Sequence, residues 1–565
     1  MRYVVPKRTL TYADTLEAVG LGSLLEEITG SEVRLMDRGD RYVLEGKQPD
    51  PSPDWPSITP GYPFIYLKAD GEMPAGQVMD YEREREKANQ LKEFRQATGK
   101  KQLKLVQALA EQGLSEPPSP LPEYRMASFL ASMRKGWSSD KQLFRWIKAN
   151  PEPVNTWAAN RLGGDEAIET PQSLPDISNS QVFNPISGKG VHRPKPDSTT
   201  AGSISSEAID PFAEWMKFRG AYKSMLPYRS GGNFKVFVLE PSDIVVSHLV
   251  GVFKALRELN LWGGIQLDIE AALRLTEILI HHSDVMGNQI PLRNRRPRDV
   301  VRGLHQAYFQ SLGTAAALMN YSFAALPSWF EIRNRDDANA FIGIIHEHIG
   351  DKRRDGVTGC LRSLNEDHSG DVPVLQQYRK WLTTGEAVDF LDFCYGFALH
   401  QMERLGRDEW VKAMSTDNLN IIFGRGYQMQ DIIENQGFQS VARAVRNATV
   451  YALSFQKQSR RSREVQFGLA QKWKQKIRGG KEELVAAICD FVHQYNWESE
   501  KLDASADGSN SGSRRIHHKV KTQELDEVIR LVNDKGAELV GMLLLAYGYA
   551  RAPRTEQAET ESETS

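Results

Sequence analysis

Residues able to neutralise phosphate gather in three places along the chain. Between Gln439 and Arg478 stand Arg443, Arg446, Lys457, Arg460, Arg461, Arg463, Lys472, Lys474, Lys476 and Arg478, against a single acid, Glu464. Cations carried along helical surfaces displace counterions from a nucleic-acid backbone, which gives binding that reads no sequence. A merely solvated face ordinarily mixes both signs, and this one does not. The second group is Arg293, Arg295, Arg296, Arg298 and Arg302 around Pro297, where guanidinium forks match phosphate better than ammonium groups would. The third runs from Gln181 to Asp197. Its Ser187-Gly-Lys-Gly190 core resembles a nucleotide-binding loop, but Phe183 stands where the first glycine belongs and Gly190 follows the lysine in place of Ser or Thr. Read instead as a clamp, Lys189, His192, Arg193 and Lys195 supply charge. Gln181 and Asn184 supply amides suited to base edges.

Catalytic candidates are poor by comparison. His346-Glu-His348 lacks the HExxH spacing, and residues i and i+2 of a helix face apart, so one metal would not take both. No GxSxG or Walker pattern occurs. Cys360, Cys394 and Cys489 are far apart and form no CxxC pair, which argues against a disulfide framework or a cysteine-rich zinc site. The expectation is a chain without catalytic residues, metal or cofactor; a metal-dependent nuclease with scattered carboxylates is the enzymatic alternative.

Elements to position these groups can be read from periodicity. Thr15 to Ile28 carries an amphipathic pattern closed by Gly30, and Glu32–Met36 and Arg41–Leu44 alternate around Arg38-Gly39-Asp40, a hairpin signal. Asp80 to Gln107 reads as one charged helix, and Met126–Met133, Lys141–Ala149, Ser247–Leu259 and Leu267–His282 as further helices. Phe234–Leu239 reads as a strand. Four apolar stripes follow beyond residue 366: Val441 to Phe455, Val465 to Ile477, Leu484 to Tyr495 and Leu525 to Val532. The predicted fold class is α+β, predominantly helical. A mixed α/β N-terminal domain (1–365, with a loop-rich segment at 163–210) precedes a C-terminal helical bundle (366–554, with a linker at 503–513) and an acidic tail (555–565).

The net charge of −2 alone does not announce a nucleic-acid binder, but the charge is segregated: the tail holds four glutamates and no base. The first residues contain no signal-peptide core, and the apolar run Met542–Tyr549 is far shorter than the roughly 20 residues a membrane helix requires. A cytoplasmic protein without membrane contact is expected.

Tyr12-Ala-Asp-Thr-Leu-Glu-Ala-Val-Gly-Leu-Gly22, with its helix and hairpin, resembles the N-terminus of the large subunit of type I CRISPR Cascade effector complexes. So do the Gln181–Asp197 loop, Asp210-Pro-Phe-Ala-Glu-Trp-Met-Lys-Phe-Arg-Gly-Ala-Tyr222 and Phe234–Leu239, most closely in I-B-like members. The resemblance implies a non-enzymatic subunit that reads a protospacer-adjacent motif, helps open the duplex and holds the displaced strand, while guide pairing supplies sequence specificity. The implied partners are crRNA, target double-stranded DNA, the backbone and crRNA 5′-end subunits, and a recruited nuclease-helicase or transposition machinery. A small helical-bundle subunit made from an internal start is also expected, with Met402 and Met414 as candidate starts. A free-standing nucleic-acid-binding scaffold is the non-CRISPR alternative.

Overall fold

The helix Tyr12–Thr29 starts where Thr11, in extended backbone, turns its hydroxyl back to the Ala13 amide. It ends where Gly30 enters the left-handed region (φ 61°) and its amide closes onto Glu26. These are features of a computed structural model that describes residues 1–49, 79–133, 138–163, 171–175, 177, 180–185, 209–230, 232–259, 265–311, 316–351, 358–457, 463–506 and 517–552. The chain divides into two compact units. The first comprises Met1–Asn260, Gln289–Pro291 and Arg298–Ala325; the second comprises Leu261–Asn288, Leu292–Pro297 and Leu326–Ser565. The fold is α+β and predominantly helical, with two antiparallel four-stranded sheets.

Both sheets lie in the first unit. One has the order β1 (Arg2–Pro6), β3 (Arg41–Glu45), β2 (Arg34–Asp37), β6 (Asp243–Val245). The expected hairpin is its β2–β3 pair: Gly39 supplies the left-handed turn (φ 88°), and the Arg38 amide donates to the Arg41 carbonyl at 2.9 Å. The other has the order β4 (Met225–Ser230), β5 (Asn233–Pro241), β7 (Val301–Ser311), β8 (Ala316–Ala325), and the predicted strand Phe234–Leu239 lies inside β5. Strands β7 and β8 carry no clean alternation, because β7 buries His305 and Gln306 in succession and β8 contains a bulge opposite Tyr308/Phe309.

Tyr12–Thr29 touches strands of both sheets and packs along Pro211–Ser224, a helix capped by Asp210, whose carboxylate accepts the Phe212 amide at 3.0 Å. The crossing is backbone on backbone. A Cβ on Gly20 would lie 1.9 Å from the Met216 carbonyl oxygen, and one on Gly220 would lie 1.9 Å from that of Leu16. Elsewhere in this unit the single charged helix expected over Asp80–Gln107 is two, Tyr81–Gln96 and Gly99–Ala110, separated at Ala97–Thr98 with Gly99 at φ 57°.

The second unit is helical. The boundary expected at residue 365 does not describe it, since 326–365 and the helix Ile265–His281 belong to this unit. Arg335–Ile349 buries Phe341, Ile344 and Ile345, and its His346 meets Glu277 of Ile265–His281 at 2.8 Å. Its centre is Ala537–Gly548, buried on nearly every face, against which Gln436–Arg446, Leu469–Gly479, Lys481–Ala506 and Thr522–Lys535 pack. Three of the apolar stripes fall on these last helices, the second only from Leu469 onward because Val465 precedes the helix. The first is interrupted at Asn447–Tyr451 by a π-helical turn. Of the linker expected over 503–513, residues 503–506 belong to the helix Lys481–Ala506, where the Asp503 carboxylate accepts the His517 amide at 2.9 Å, and 507–513 lie outside the described residues. The acidic tail lies outside the described residues. Among the described residues no helix is long and apolar enough to cross a membrane.

Gly20→Ala or Gly220→Ala is expected to cost about 3 kcal/mol or more, because backbone rather than a yielding side chain meets the new methyl group. Gly251→Ala, in a helix with nothing within 4 Å of its would-be Cβ, is expected to be neutral or stabilising by about 0.5–1 kcal/mol. Urea unfolding of the three variants checks the contrast; equal effects at Gly20 and Gly251 would contradict it.

Candidate nucleic-acid interface

The basic segment Gln439–Arg478 does not form one outward stripe. Arg446, on Gln436–Arg446, is 3% exposed; its Nε donates to the Ala550 carbonyl at 2.8 Å and its Nη2 to the Tyr547 carbonyl at 2.9 Å. It caps the carbonyl end of the central helix Ala537–Gly548, where a cation is favoured by the helix dipole. Arg463 is also buried. It donates to the Tyr495 carbonyl at 3.1 Å and lies 4.1 Å over that tyrosine's ring. Arg443 is half-buried one turn from Arg446. Arg446 and Arg463 therefore serve the bundle interior rather than an outward basic stripe. His518 registers their convergence: burial first, then Arg443, Arg463 and Arg446, push its pKa down to about 3. On Leu469–Gly479, Lys474 pairs with Asp392 at 3.0 Å and Lys476 with Glu483 at 3.0 Å, which leaves Lys472 and Arg478 as its exposed bases. Arg460 and Arg461 lie outside the described residues.

The Arg293–Arg296 group fares differently. Asp284 accepts the amides of Leu292 (2.9 Å) and Arg293 (3.1 Å), and Asn294 takes a left-handed conformation (φ 59°), which together turn the loop outward. A two-way backbone bridge then ties it to a second loop: the Asn294 amide donates to the Ile332 carbonyl at 2.8 Å and the Ile332 amide to the Arg295 carbonyl at 3.0 Å. That second loop carries Arg333 and leads into the helix Arg335–Ile349 at Arg335; both arginines are exposed, as are Arg293 and Arg296, while Arg295 is half-buried. Asp337 holds the second loop in place by accepting the Arg333 amide at 3.1 Å and pairing with Arg425 at 2.7 Å. Six arginines (with Arg425) face four acids here, Asp284, Glu331, Asp336 and Asp337. Arg333 and Arg335 escape a sequence reading because they sit in a run of mixed sign, Glu331-Ile-Arg-Asn-Arg-Asp-Asp337. Only the long-range bridge brings them to the other arginines.

The third group divides. Asn184 is buried: its amide nitrogen donates to both Glu214 oxygens (3.1 and 3.0 Å) and its carbonyl oxygen accepts from Lys217 at 2.7 Å. It is therefore committed to the interior and unavailable to base edges. Burial works against the Lys217 ammonium, yet Glu214 and Glu17 hold its pKa above the ordinary lysine value, and burial pushes Glu17 up to about 7. Gln181 is half-buried at the foot of the loop, and the Tyr12 hydroxyl anchors that foot by donating to the Val182 carbonyl at 2.8 Å. Lys189, His192, Arg193 and Lys195 lie outside the described residues.

Among the histidines, His346 and His348 turn to different partners, Glu277 at 2.8 Å and the Tyr378 hydroxyl at 2.7 Å. His400 joins Asp371 (2.8 Å) to Ser363 Oγ (3.1 Å), a relay with serine–histidine–carboxylate connectivity. Its outer atoms are engaged locally: Asp371 also accepts the Asn365 amide at 2.9 Å, and Ser363 Oγ donates to the Cys360 carbonyl at 2.9 Å. The relay thus fastens the turn at Cys360–Ser363 to the helix Ala387–Gly406. No protein-family model matches the chain, and no curated protein is a significant match to it.

Burial pushes His305, His348 and His518 down to about 3. For His305 this means a neutral ring, so its 3.6 Å approach to Glu240 is not an ion pair. The unfolded chain takes up these protons below about pH 6.5 while the folded chain refuses them, so stability falls as pH falls through that value. Glu17 runs the other way, since its raised pKa favours the folded state at lower pH. Over these four groups the three histidines outnumber the one carboxylate, so together they lower stability as pH falls below about 6.5. Urea midpoints at pH 7.5 and 5.5 measure it, and a midpoint that rises on acidification would contradict the assignment.

Proposed function

We propose that this chain is the non-catalytic large subunit of an RNA-guided, DNA-binding CRISPR surveillance complex of type I. In that role it contributes protospacer-adjacent-motif recognition, duplex opening and retention of the displaced strand, in the cytoplasm and in company with crRNA and the backbone subunits. The observation that carries the nucleic-acid part of this reading is the bridged double loop, where Arg293, Arg295, Arg296, Arg333 and Arg335 share one surface. Guanidinium groups held on a short, bridged scaffold suit bidentate phosphate contact. The CRISPR part is supported by how the stretches of resemblance lie together in one packed piece. Tyr12–Thr29 packs on Pro211–Ser224, touches β5, and holds the foot of the Gln181 loop through Tyr12.

Two surfaces then divide the work. The double loop and the exposed Lys472 and Arg478 track the phosphate backbone, and motif reading belongs to the Gln181–Lys195 segment. With Asn184 committed to Glu214 and Lys217, Gln181, Lys189, His192 and Arg193 remain as its reading residues.

Replacing Arg293, Arg296, Arg333 and Arg335 together by Ala is expected to weaken DNA binding by the assembled complex. It should lower the slope of log affinity against log salt by up to about four. Because all four are exposed, thermal stability should hardly change. Gel shifts at several salt concentrations test the first expectation; an unchanged slope rejects the double loop as the interface. Co-expression with neighbouring genes tests the CRISPR identity, for the chain should copurify with a guide RNA, and stable purification without RNA would favour a free-standing scaffold.

A further inference from the structure

The loop joining β1 to the helix Tyr12–Thr29 holds its backbone in a conformation its own sequence resists. Leu10 sits in the left-handed region (φ 53°), which glycine takes freely and a bulky L residue does not. Its side chain fills no core, since the residue is 74% exposed.

Contacts on both sides impose this shape. Before the tip, Lys7 reaches inward to Asp37 at 2.8 Å and Glu240 at 3.3 Å, with its ammonium 4.4 Å from the Tyr42 ring centre. After it, the Thr9 amide donates to both Asp14 oxygens (3.2 and 3.1 Å), the Thr9 and Thr11 hydroxyls meet at 2.8 Å, and the Tyr12 amide donates to the Tyr321 hydroxyl at 2.9 Å. A strained position that its surroundings over-determine, and that presents an apolar group to solvent, points to a contact made with something else.

The charge beside the tip indicates what that is. The Lys7 amide donates to the Asp40 carbonyl at 2.8 Å, which sets the β2–β3 hairpin tip next to the loop. Lys7 and Arg302 balance the buried carboxylates of Asp37 and Glu240, and Arg41 pairs with Asp40 at 3.1 Å. Exposed Arg8 and Arg38 form no ion pair within 4 Å among the described residues; Arg8 is within electrostatic reach of Glu17, and Arg38 donates to the Met36 sulfur. Two exposed arginines, one in the loop of the protruding leucine and one in the hairpin tip bonded to it, suit a duplex, whose phosphates lie beside a stack that an apolar side chain can enter.

We infer that Leu10 inserts between neighbouring base pairs of a DNA duplex while Arg8 and Arg38 hold the adjoining phosphates. This rests on the nucleic-acid function proposed above and adds a contact in the first unit, close to the foot of the Gln181 loop that Tyr12 anchors. A protein partner offering an apolar pocket with an acidic rim is the alternative that the test must separate.

Insertion unwinds the helix, so relaxation of a closed plasmid by topoisomerase in the presence of the full-length chain reads it without knowledge of the site. The wild type should shift the topoisomer distribution. Leu10→Gly should bind plasmid with nearly the same salt slope but abolish the shift, whereas Leu10→Met should keep it. Arg8→Ala with Arg38→Ala should lower the salt slope by about two. Leu10→Gly should also melt no lower than wild type, since glycine relieves the backbone. Binding without a topoisomer shift, or an undiminished shift by Leu10→Gly, overturns the inference and leaves the double-loop interface standing. Loss of melting temperature in Leu10→Gly overturns it in favour of a packing role. Failure of the wild type to bind plasmid overturns it together with duplex binding by this chain.

Discussion

The first unit depends on the place where two helices touch without side chains between them. At Gly20 and Gly220 each helix presses against a carbonyl of the other, at Met216 and at Leu16, and no larger residue fits. That close approach lets groups on both helices meet. Asp14 and Glu17 near the start of one come within electrostatic reach of Lys217 on the other, and Asn184 closes the set by bonding Glu214 and Lys217. A wider separation would leave these charges buried and unmatched, a condition more costly than the crossing itself.

From this cluster the polar groups continue as a chain of contacts toward the second sheet. Tyr12 links the helix start to Val182 and, through its amide, to Tyr321, which contacts neutral His305 at 2.8 Å; Glu240 lies beyond, shared by Lys7 and Arg302. Such buried networks are rigid when satisfied, because each member is held by the others in a medium of low dielectric. The β1–helix loop and the foot of the Gln181 loop both hang from it. A surface built from loops acquires a fixed shape in this way, the condition for a contact that depends on the position of single side chains.

The second unit uses charge for a different purpose. Its central helix, Ala537–Gly548, is apolar beyond Glu538 apart from the Tyr547 hydroxyl, and Arg446 from a neighbouring helix adds donors to its carbonyl end. Arg463 is held against the Tyr495 ring and carbonyl in the same interior. Positive charge on a helix is thus divided between solvent-exposed positions such as Lys472 and positions that hold the bundle together. Helical spacing distinguishes faces but does not say which face is solvent when neighbours cover several of them.

Much of the secondary structure follows from local chemistry that the sequence carries by itself. Thr11 and Gly30 bound a helix, Arg38-Gly39-Asp40 turns a hairpin, Asp210-Pro211 starts a helix, and the stripes Leu484–Tyr495 and Leu525–Val532 are buried faces. These depend on caps, turn residues and period, interactions reaching a few residues along the chain. What tertiary structure decided is which charges face out. Arg446 and Arg295 are both arginines in basic runs, yet one caps a helix a hundred residues away while the other is held in an arginine surface by a bridge to Ile332. Strands β7 and β8 belong to the same class, because their pairing and bulge satisfy buried His305 and Gln306 only once the sheet exists. The physical reason is that desolvation and charge pairing depend on every neighbour in space, and those neighbours are set by packing rather than by proximity in sequence.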